Sequence, residues 1–173
     1  GWMRNRVLDD FTLRVNISPK QLAQPTLGPV VEEVLEATKL DPSVLCLELA
    51  EATLTTHLHE TEKQLARLRE LGVKISVDDF GTAASSLALL KRLPVDMLKI
   101  DRSFVTGLGI DHRDSAIVQA IVDLGAALDL QVVAEGIDND DQLDELIELG
   151  CARGQGYLLS HVLRPNEFIR RWI

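Results

Sequence analysis

The sequence predicts an α/β fold built on a parallel sheet, and three observations support this. Short runs rich in Val, Ile and Leu recur along the chain. Amphipathic stretches separate these runs, so that strands and helices alternate. The two kinds of segment form six strand–helix units. Apolar strands separated by helices are typical of parallel sheets that are covered on both faces.

The predicted elements follow one another in a regular order. The six strands are TLRVNIS (12–18), VLCLELAE (44–51), VKISVDD (73–79), DMLKID (96–101), LQVVAEG (130–136) and ARGQGYLLS (152–160). Apolar residues at helical spacing predict three of the intervening helices. They are Leu58, Leu65, Leu68 and Leu71 for the first, Ile117, Val118, Ile121, Leu124 and Leu128 for the second, and Leu143, Leu146 and Ile147 for the third.

Glycine and proline mark where the helices begin and end. Gly72 and Gly150 follow two of the periodic stretches and are predicted to end them. Pro94 is predicted to end a helix that starts near Ser85. Pro165 is predicted to lie near the start of a last helix. No linker or low-complexity segment interrupts the chain, which predicts a single domain over residues 1–173.

Two architectures fit this alternation. One is an open, doubly wound sheet, and the other is a (β/α)8-type barrel, of which six units would be an incomplete version. No glycine-rich phosphate loop follows the first strand, which weakens the case for a dinucleotide-binding sheet.

Composition argues against several classes of function. The net charge of −9 argues against a protein that binds DNA or RNA polymers, although bound cations can reverse a local negative field. No apolar run approaches the roughly 18 residues of a membrane span, so no membrane contact is expected from this segment. Cys46 and Cys151 belong to no CxxC pair. We expect two buried, reduced thiols and a cytoplasmic location.

Polar residues concentrate where the predicted strands end. In a parallel barrel these ends open on one face, which carries the active site. The residues concerned are Asn16, Glu48, Glu51, Asp78, Asp79, Lys99, Asp101, Glu135 and Gln155. A single Asp or Glu after a strand often caps the next helix instead. His161 follows the last strand and is a candidate for ligand contact.

Several carboxylates at one mouth would repel each other unless divalent cations lie among them. Oxygen ligands without His or Cys favour Mg²⁺ or Mn²⁺ over zinc. The adjacent Asp78 and Asp79 suggest a two-metal site of the kind that cleaves phosphodiesters, in which Lys99 orients water and Glu135 ligates or takes a proton. An alternative outside this class is an aldolase, in which Lys99 forms a Schiff base and Asp101 and Glu135 act as acid and base.

The motifs VNIS, ELAE, DDFGT, LKIDRSFV, VVAEGI and GCARGQGYLLS resemble, in order and spacing, the EAL-domain cyclic-di-GMP phosphodiesterases. The resemblance implies a modified TIM barrel with one antiparallel strand, and Mg²⁺- or Mn²⁺-dependent hydrolysis of cyclic di-GMP to linear pGpG. It also implies roles for the strand-end residues. Asn16, Glu48 and Asp78 resemble metal ligands, and Asp79 resembles the ligand of a second metal. Lys99 resembles the lysine that orients the water, and Glu135 resembles a ligand or general base. Glu51 resembles the residue that steadies the DDFG loop, and Asp101 and Gln155 resemble supporting residues.

The chain departs from the family pattern in several respects, of which two bear most on activity. It contains no Glu-Ala-Leu triplet, which leads us to expect a domain that lacks its first strands and has little activity alone. Ala83 and Ala84 replace residues of the loop after DDFG, which predicts a more mobile loop and weaker metal occupancy. The alternative is an inactive regulatory module that binds cyclic di-GMP or a protein. Open edges at the first and last strands predict a possible homodimer, unless residues 1–10 with Trp2 and Met3 cover one edge.

Overall fold

The structure, a computed structural model, describes residues 11–55, 58–83 and 87–172. Six strands alternate with eight α-helices in this part of the chain. The strands are β1 (Leu13–Asn16), β2 (Leu45–Ala50), β3 (Lys74–Phe80), β4 (Met97–Ile100), β5 (Gln131–Glu135) and β6 (Gly154–Gln155). The helices are α1 (Pro19–Leu22), α2 (Leu27–Thr38), α3 (Leu58–Glu70), α4 (Leu87–Arg92), α5 (Arg102–Thr106), α6 (His112–Ala127), α7 (Asp140–Glu148) and α8 (Pro165–Trp172). Short 3₁₀ turns at Pro42–Val44 and Glu51–Thr55 flank β2.

The sheet is parallel and curled. Its strand order is β1-β2-β3-β4-β5-β6, and every neighbouring pair runs parallel. In a flat sheet, β1 and β4 would lie three spacings apart, or about 14 Å. Nevertheless, Nη2 of Arg14 on β1 lies 3.7 Å from Sδ of Met97 on β4. The six strands therefore form a half-barrel, which confirms the predicted incomplete α/β TIM-like barrel.

The two faces of the sheet differ in chemistry because successive strand residues point to opposite sides. The outer face carries aliphatic side chains that are buried under the helices, such as Leu47, Ile75, Val77, Leu98 and Ile100. The helices contribute Leu65 and Leu68 from α3 and Val118 and Ile121 from α6, among others. The main hydrophobic core thus lies between sheet and helices, and the inner face carries the polar strand-end residues together with a few buried apolar ones such as Met97 and Val133.

The sixth strand is shorter than its predicted span of 152–160. Only Gly154 and Gln155 pair with β5, because the chain leaves the sheet directly afterwards. A β-carbon at Gly156 would lie 2.1 Å from the Ile137 carbonyl oxygen, so the backbone passes very close to the chain that follows β5. The amides of Leu159 and Ser160 donate to the Gly156 carbonyl and form a helical turn. The glycines in GQGY therefore mark a turn, although the sequence pattern around them predicts a strand.

The predicted helix boundaries agree well with the structure. Gly72 and Gly150 follow α3 and α7 with φ of 88° and 80°, a conformation that glycine adopts without strain. Helix α4 ends at Arg92, before Pro94, and Pro165 is the first residue of α8. The predicted helix start at Ser85, the loop residue Ala84, and residues 1–10 with Trp2 and Met3 lie outside the described residues.

The two ends of the sheet remain open. Strands β1 and β6 each pair on one side only within the part of the chain that the structure describes. Leu13 and Val15 on β1 are 40% and 42% exposed, which is high for strand residues of this type. Cys46 and Cys151 are buried and free, as predicted. Among the described helices, none has the length and apolar character needed to cross a membrane.

Candidate active site

The polar strand-end residues gather at one mouth of the half-barrel, as the parallel topology predicts. Asn16 lies in register with Glu48, and Glu135 lies in register with Gln155. Asn16 and Gln155, on the two outermost strands, are exposed. Glu48, on the more central β2, is only 5% exposed.

Lys99 is the centre of this group. Its ammonium Nζ lies 3.0 Å from Glu48 Oε2, 3.0 Å from Asp78 Oδ1 and 2.6 Å from Glu135 Oε1. These carboxylates come from three different strands, and Lys99 itself is 4% exposed. A buried ammonium with three anionic partners has the donors and charges it needs. Lys99 therefore fixes the spacing of the carboxylates around it.

The surroundings of Lys99 disfavour the aldolase alternative. Burial alone would lower its pKa, but the hydrogen bonds to Glu135, Asp78 and Glu48 outweigh burial and raise the pKa above its ordinary value. A Schiff base requires a neutral amine. An ammonium that is stabilised in this way is unsuited to that chemistry, and it can instead stabilise negative charge.

Asp78 and Asp79 reach the same mouth although they are neighbours in a strand. The pairing of β3 with β4 shifts register between Val77 and Phe80, which marks a bulge. Within it, Asp79 adopts φ of 54°, a left-handed conformation that Asp tolerates better than most residues. The bulge turns both carboxylates toward one site, as the sequence interpretation required. Asp78, Asp79 and Glu135 offer ligand oxygens that all lie within 4.8 Å of one another.

This concentration of charge perturbs the neighbouring carboxyl groups. Burial, followed by the charges of Asp78, Asp101 and Glu135, raises the pKa of Asp79. Burial opposes ionisation of Asp101 as well, but hydrogen bonds from Ser103 and Asp79 outweigh it and lower the Asp101 pKa. Asp101 also caps α5 by accepting from the Ser103 amide at 2.9 Å. Asp101 is therefore a helix cap that lies beside Asp79, and its supporting role in the site stays a prediction.

Glu51 holds the loop that follows Asp79. Its Oε2 accepts from the amides of Gly81 at 2.9 Å and Ala83 at 3.0 Å. Glu51 is 2% exposed, so these contacts lie inside the protein. The resemblance implies that Glu51 steadies this loop, and that role stays a prediction for which these two contacts are the structural basis.

Arg14 is a site residue that the sequence interpretation missed. Its Nε lies 3.5 Å from Glu48 Oε1, and neither atom, although buried, has a hydrogen-bond partner. The signal was present in the sequence. Arg14 is a charged residue in an apolar strand, two positions before Asn16 and hence on the same face.

Two smaller cavities adjoin the mouth. One of about 240 Å³ lies beside Glu135, and its rim carries Tyr157 and the ion pair between Arg102 and Asp138 at 2.6 Å. Another of about 430 Å³ separates β1 from β6 and is lined by Arg14, Gln155, Ser160 and His161, among others. A larger cavity of about 590 Å³ lies on the outer face between β1 and α2. Its lining is mostly aliphatic, so we assign the chemistry to the polar mouth.

Comparison with known proteins identifies the family. The EAL domain model matches residues 2–162. The chain belongs to the EAL-domain family. It is 44% identical over 161 residues to the cyclic di-GMP phosphodiesterase NbdA of Pseudomonas aeruginosa. The aligned region covers 91% of this chain and 21% of NbdA.

Solved EAL structures share the fold closely. The phosphodiesterase MucR of Pseudomonas aeruginosa, in a complex with cyclic di-GMP, superposes with a TM-score of 0.92 at 41% identity, over 96% of this chain and 67% of that one. The EAL domain of Mycobacterium smegmatis DcpA gives a TM-score of 0.93 at 39% identity, over 99% of this chain and 77% of that one. The chain spans between 20% and 27% of the first curated relatives that it matches.

EAL domains are metal-dependent, and the residues at this mouth fit a metal ion. The acidic group of Asp78, Asp79 and Glu135 offers clustered oxygens. Glu48 Oε1 is a buried carboxylate oxygen that accepts no hydrogen bond, although buried polar atoms are normally paired. Both features suit a cation bound by oxygen ligands.

Proposed function

We propose that this EAL domain is a phosphodiesterase that hydrolyses cyclic di-GMP to linear pGpG with Mg²⁺ or Mn²⁺. The observation that carries the proposal is the Lys99-centred group, in which one ammonium contacts carboxylates from three strands and a fourth carboxylate, that of Asp79, lies beside them. The names of NbdA and MucR, which describe cyclic di-GMP phosphodiesterases, support the choice of substrate.

In this proposal the mouth residues divide into ligands and supports. Asn16, Glu48 and Asp78 would hold one cation, and Asp79 and Glu135 would help to hold a second. The oxygen-only ligand set supports Mg²⁺ or Mn²⁺. When bound, such cations supply charge stabilisation for the phosphodiester transition state and a nucleophilic water at neutral pH.

The reaction exchanges one P–O bond for another. The oxygen of a water molecule attacks a phosphorus of the cyclic substrate, and the bond from that phosphorus to a ribose 3′ oxygen breaks. The water loses a proton, for which Glu135 is the proposed acceptor, and the 3′ oxygen gains one. The product is linear, with a 5′ phosphate at one end and a free 3′ hydroxyl at the other.

The protein's own groups position these atoms. Lys99 carries its positive charge at neutral pH, so it can orient the water and stabilise charge on the phosphate. Glu51 keeps the segment after Asp79 in place through its two backbone hydrogen bonds. Asp101 and Gln155 support the site from its margins. The cavity beside Glu135, with Arg102 and Tyr157 on its rim, is where we place part of the nucleotide.

The chain by itself is proposed to be a slow enzyme, because it contains no Glu-Ala-Leu triplet. The same observation favours a second candidate, a regulatory module that binds cyclic di-GMP without cleaving it. Two measurements separate the candidates. Titration calorimetry detects binding of cyclic di-GMP, and ion-exchange chromatography detects formation of pGpG.

The decisive experiment measures pGpG formation with Mn²⁺ for the wild-type chain and for Asp78→Asn. We expect slow turnover by the wild type and none by the variant. Asp144→Asn, an exposed carboxylate on α7, is the matched control and should behave like the wild type. Binding without turnover supports the regulatory module, and neither binding nor turnover contradicts both candidates. Turnover as fast as that of NbdA would contradict the proposed impairment alone.

We also propose that two copies associate through the open sheet edges. The support is the exposure of Leu13 and Val15 next to Val30 and Val34, which are 52% and 51% exposed, around the outer apolar cavity. Unpaired strands and exposed apolar patches are features of association sites. The buried free thiols Cys46 and Cys151 support our placement of the protein in the reducing cytoplasm.

A further inference from the structure

We propose that Arg14 is a built-in competitor for the metal ion at the Glu48 side of the mouth, so that the two sides bind divalent cations with unequal affinity. This inference rests on the proposed metal-dependent function and deepens it. Arg14 acts through Glu48, which makes it a positioning residue that sets metal affinity.

The first step of the argument is the contact between Arg14 and Glu48. The guanidinium Nε lies 3.5 Å from Glu48 Oε1, which is within ion-pair range but too long for a hydrogen bond. Both atoms are buried and otherwise lack a hydrogen-bond partner. The guanidinium of Arg14 therefore lies beside the carboxylate oxygen that a metal ion would use. It neutralises the charge of Glu48 without donating a hydrogen bond to it.

The second step is the difference between the two sides of the mouth. Glu48 faces two basic side chains, because Lys99 takes its other oxygen at 3.0 Å. Asp79 is the contrasting case, since its own carboxylate forms no ion pair with a lysine or arginine within the described residues, and its neighbours are other carboxyl groups. Lys99 serves both sides of the mouth, because it also contacts Glu135 at 2.6 Å, so Arg14 is the cationic group that distinguishes the Glu48 side. A cation at the Asp79 side relieves the repulsion among the carboxylates there, whereas a cation at the Glu48 side must displace the guanidinium of Arg14.

The third step is the space around Arg14. Its side chain is 29% exposed and lines the 430 Å³ cavity between β1 and β6. Gln155, Ser160 and His161 line the same cavity, and among the described residues that line it there is no Asp or Glu. Arg14 thus has room to withdraw from Glu48 but finds no second carboxylate there. Its withdrawal has an electrostatic cost that lowers metal affinity.

The test is a Mn²⁺ titration of the wild-type chain and of Arg14→Gln, followed by calorimetry and by the electron paramagnetic resonance signal of free Mn²⁺. We expect the wild type to bind one Mn²⁺ ion tightly and a second one weakly. In the variant, the affinity of the weak site should rise about tenfold, which is the size of effect typical of residues that support metal ligands. The strengthening should persist when Asp79→Asn is added, because that change affects the other side. Arg14→Lys keeps the charge and should stay near the wild-type affinity.

The control for net charge is Arg92→Gln, which breaks an exposed pair with Glu62. It removes the same charge far from the mouth and should leave both affinities unchanged. Equal strengthening by Arg92→Gln, unchanged or weaker binding in Arg14→Gln, or loss of the effect with Asp79→Asn would overturn the inference. Mn²⁺ binding that is equal in all variants contradicts only this inference, whereas no Mn²⁺ binding by any of them contradicts the metal-dependent function as well.

Discussion

The middle and the edges of the sheet differ in how firmly they hold their site residues. Strands β2, β3 and β4 are paired on both sides, and their side chains Glu48, Asp78 and Lys99 are fixed by mutual ion pairs. Strands β1 and β6 are paired on one side, and their site residues Asn16 and Gln155 are exposed. The middle is therefore preorganised by its own charges.

This difference indicates which part of the site depends on additional structure. The central carboxylates and Lys99 keep their spacing without any further strand. Among the described residues, Asn16 and Gln155 at the edges join no such ion-pair network, whereas Arg14 on β1 joins it through Glu48. We expect variants that break the Lys99 ion pairs to change stability and metal binding strongly. Edge variants other than those of Arg14 should change association instead.

Lys99→Met has the largest expected effect. It removes the ammonium from three carboxylates, and breaking a buried ion pair by removing one partner typically costs about 3–5 kcal/mol. The free energy of unfolding, measured with urea, should fall by about 3 kcal/mol or more, and Mn²⁺ should restore part of it because a dication replaces the lost charge.

Lys91→Met, an exposed lysine on α4, is the control for Lys99→Met and should lose less than about 0.5 kcal/mol. If both variants have the same stability, the Lys99 network does not hold the middle of the sheet together. If Mn²⁺ gives no recovery in Lys99→Met, the carboxylates do not form a cation site.

Glu51→Ala is expected to have the second-largest effect. It leaves the amides of Gly81 and Ala83 without their acceptor, and a buried unpaired donor costs about 1–3 kcal/mol. We expect a loss of about 2 kcal/mol in the free energy of unfolding and weaker Mn²⁺ binding, since the loop next to Asp79 loosens. Glu51→Gln retains one acceptor oxygen and should lose less. Equal losses in the two variants would exclude the backbone hydrogen bonds as the cause.

Much of the middle could be predicted from the sequence. Alternating apolar runs identify the strands because parallel strands are buried on both faces, and the chain direction then places Glu48, Asp78 and Glu135 at one mouth. The capping glycines follow from backbone sterics alone. These inferences hold because each depends on local chemistry and on one topological rule.

The edges were predicted less well, for a physical reason. Arg14 was missed because its role depends on the curl of the sheet, which brings β1 close to β4. The length of β6 was overestimated because the approach of Gly156 to Ile137 is a tertiary contact. The ion-pair distances around Lys99 likewise depend on side-chain packing that no spacing in the sequence reveals.

Asp79→Asn should raise the stability of the fold slightly, whereas Lys99→Met and Glu51→Ala should lower it. The pKa of Asp79 is raised in the folded protein, so folding favours its protonated form, and its stabilising effect is present at low pH and lost as the pH rises through the folded pKa. Asn resembles the protonated form and tolerates the left-handed backbone. At neutral pH without metal, we expect the variant to be more stable by about 0.5 kcal/mol.

Two further measurements test this interpretation of Asp79. The advantage of Asp79→Asn should shrink below the ordinary pKa of Asp, because the wild-type group is then protonated in both states. In saturating Mn²⁺ the order of stability should reverse, since the variant has lost a ligand. A variant that is less stable than the wild type at neutral pH without metal would show that the Asp79 charge is not repelled by its neighbours.

Val15→Lys should have the smallest effect on stability and should test the open edge directly. Val15 is 42% exposed on β1, so replacing it should change the free energy of unfolding by less than about 0.5 kcal/mol. A lysine at an open strand opposes pairing with another chain, so a dimer observed for the wild type by sedimentation should dissociate. Ile110→Lys, at an 87% exposed position outside the apolar cavity, should leave the dimer intact. A wild type that sediments as a monomer, or a Val15→Lys variant that remains dimeric, would place the association elsewhere or exclude it.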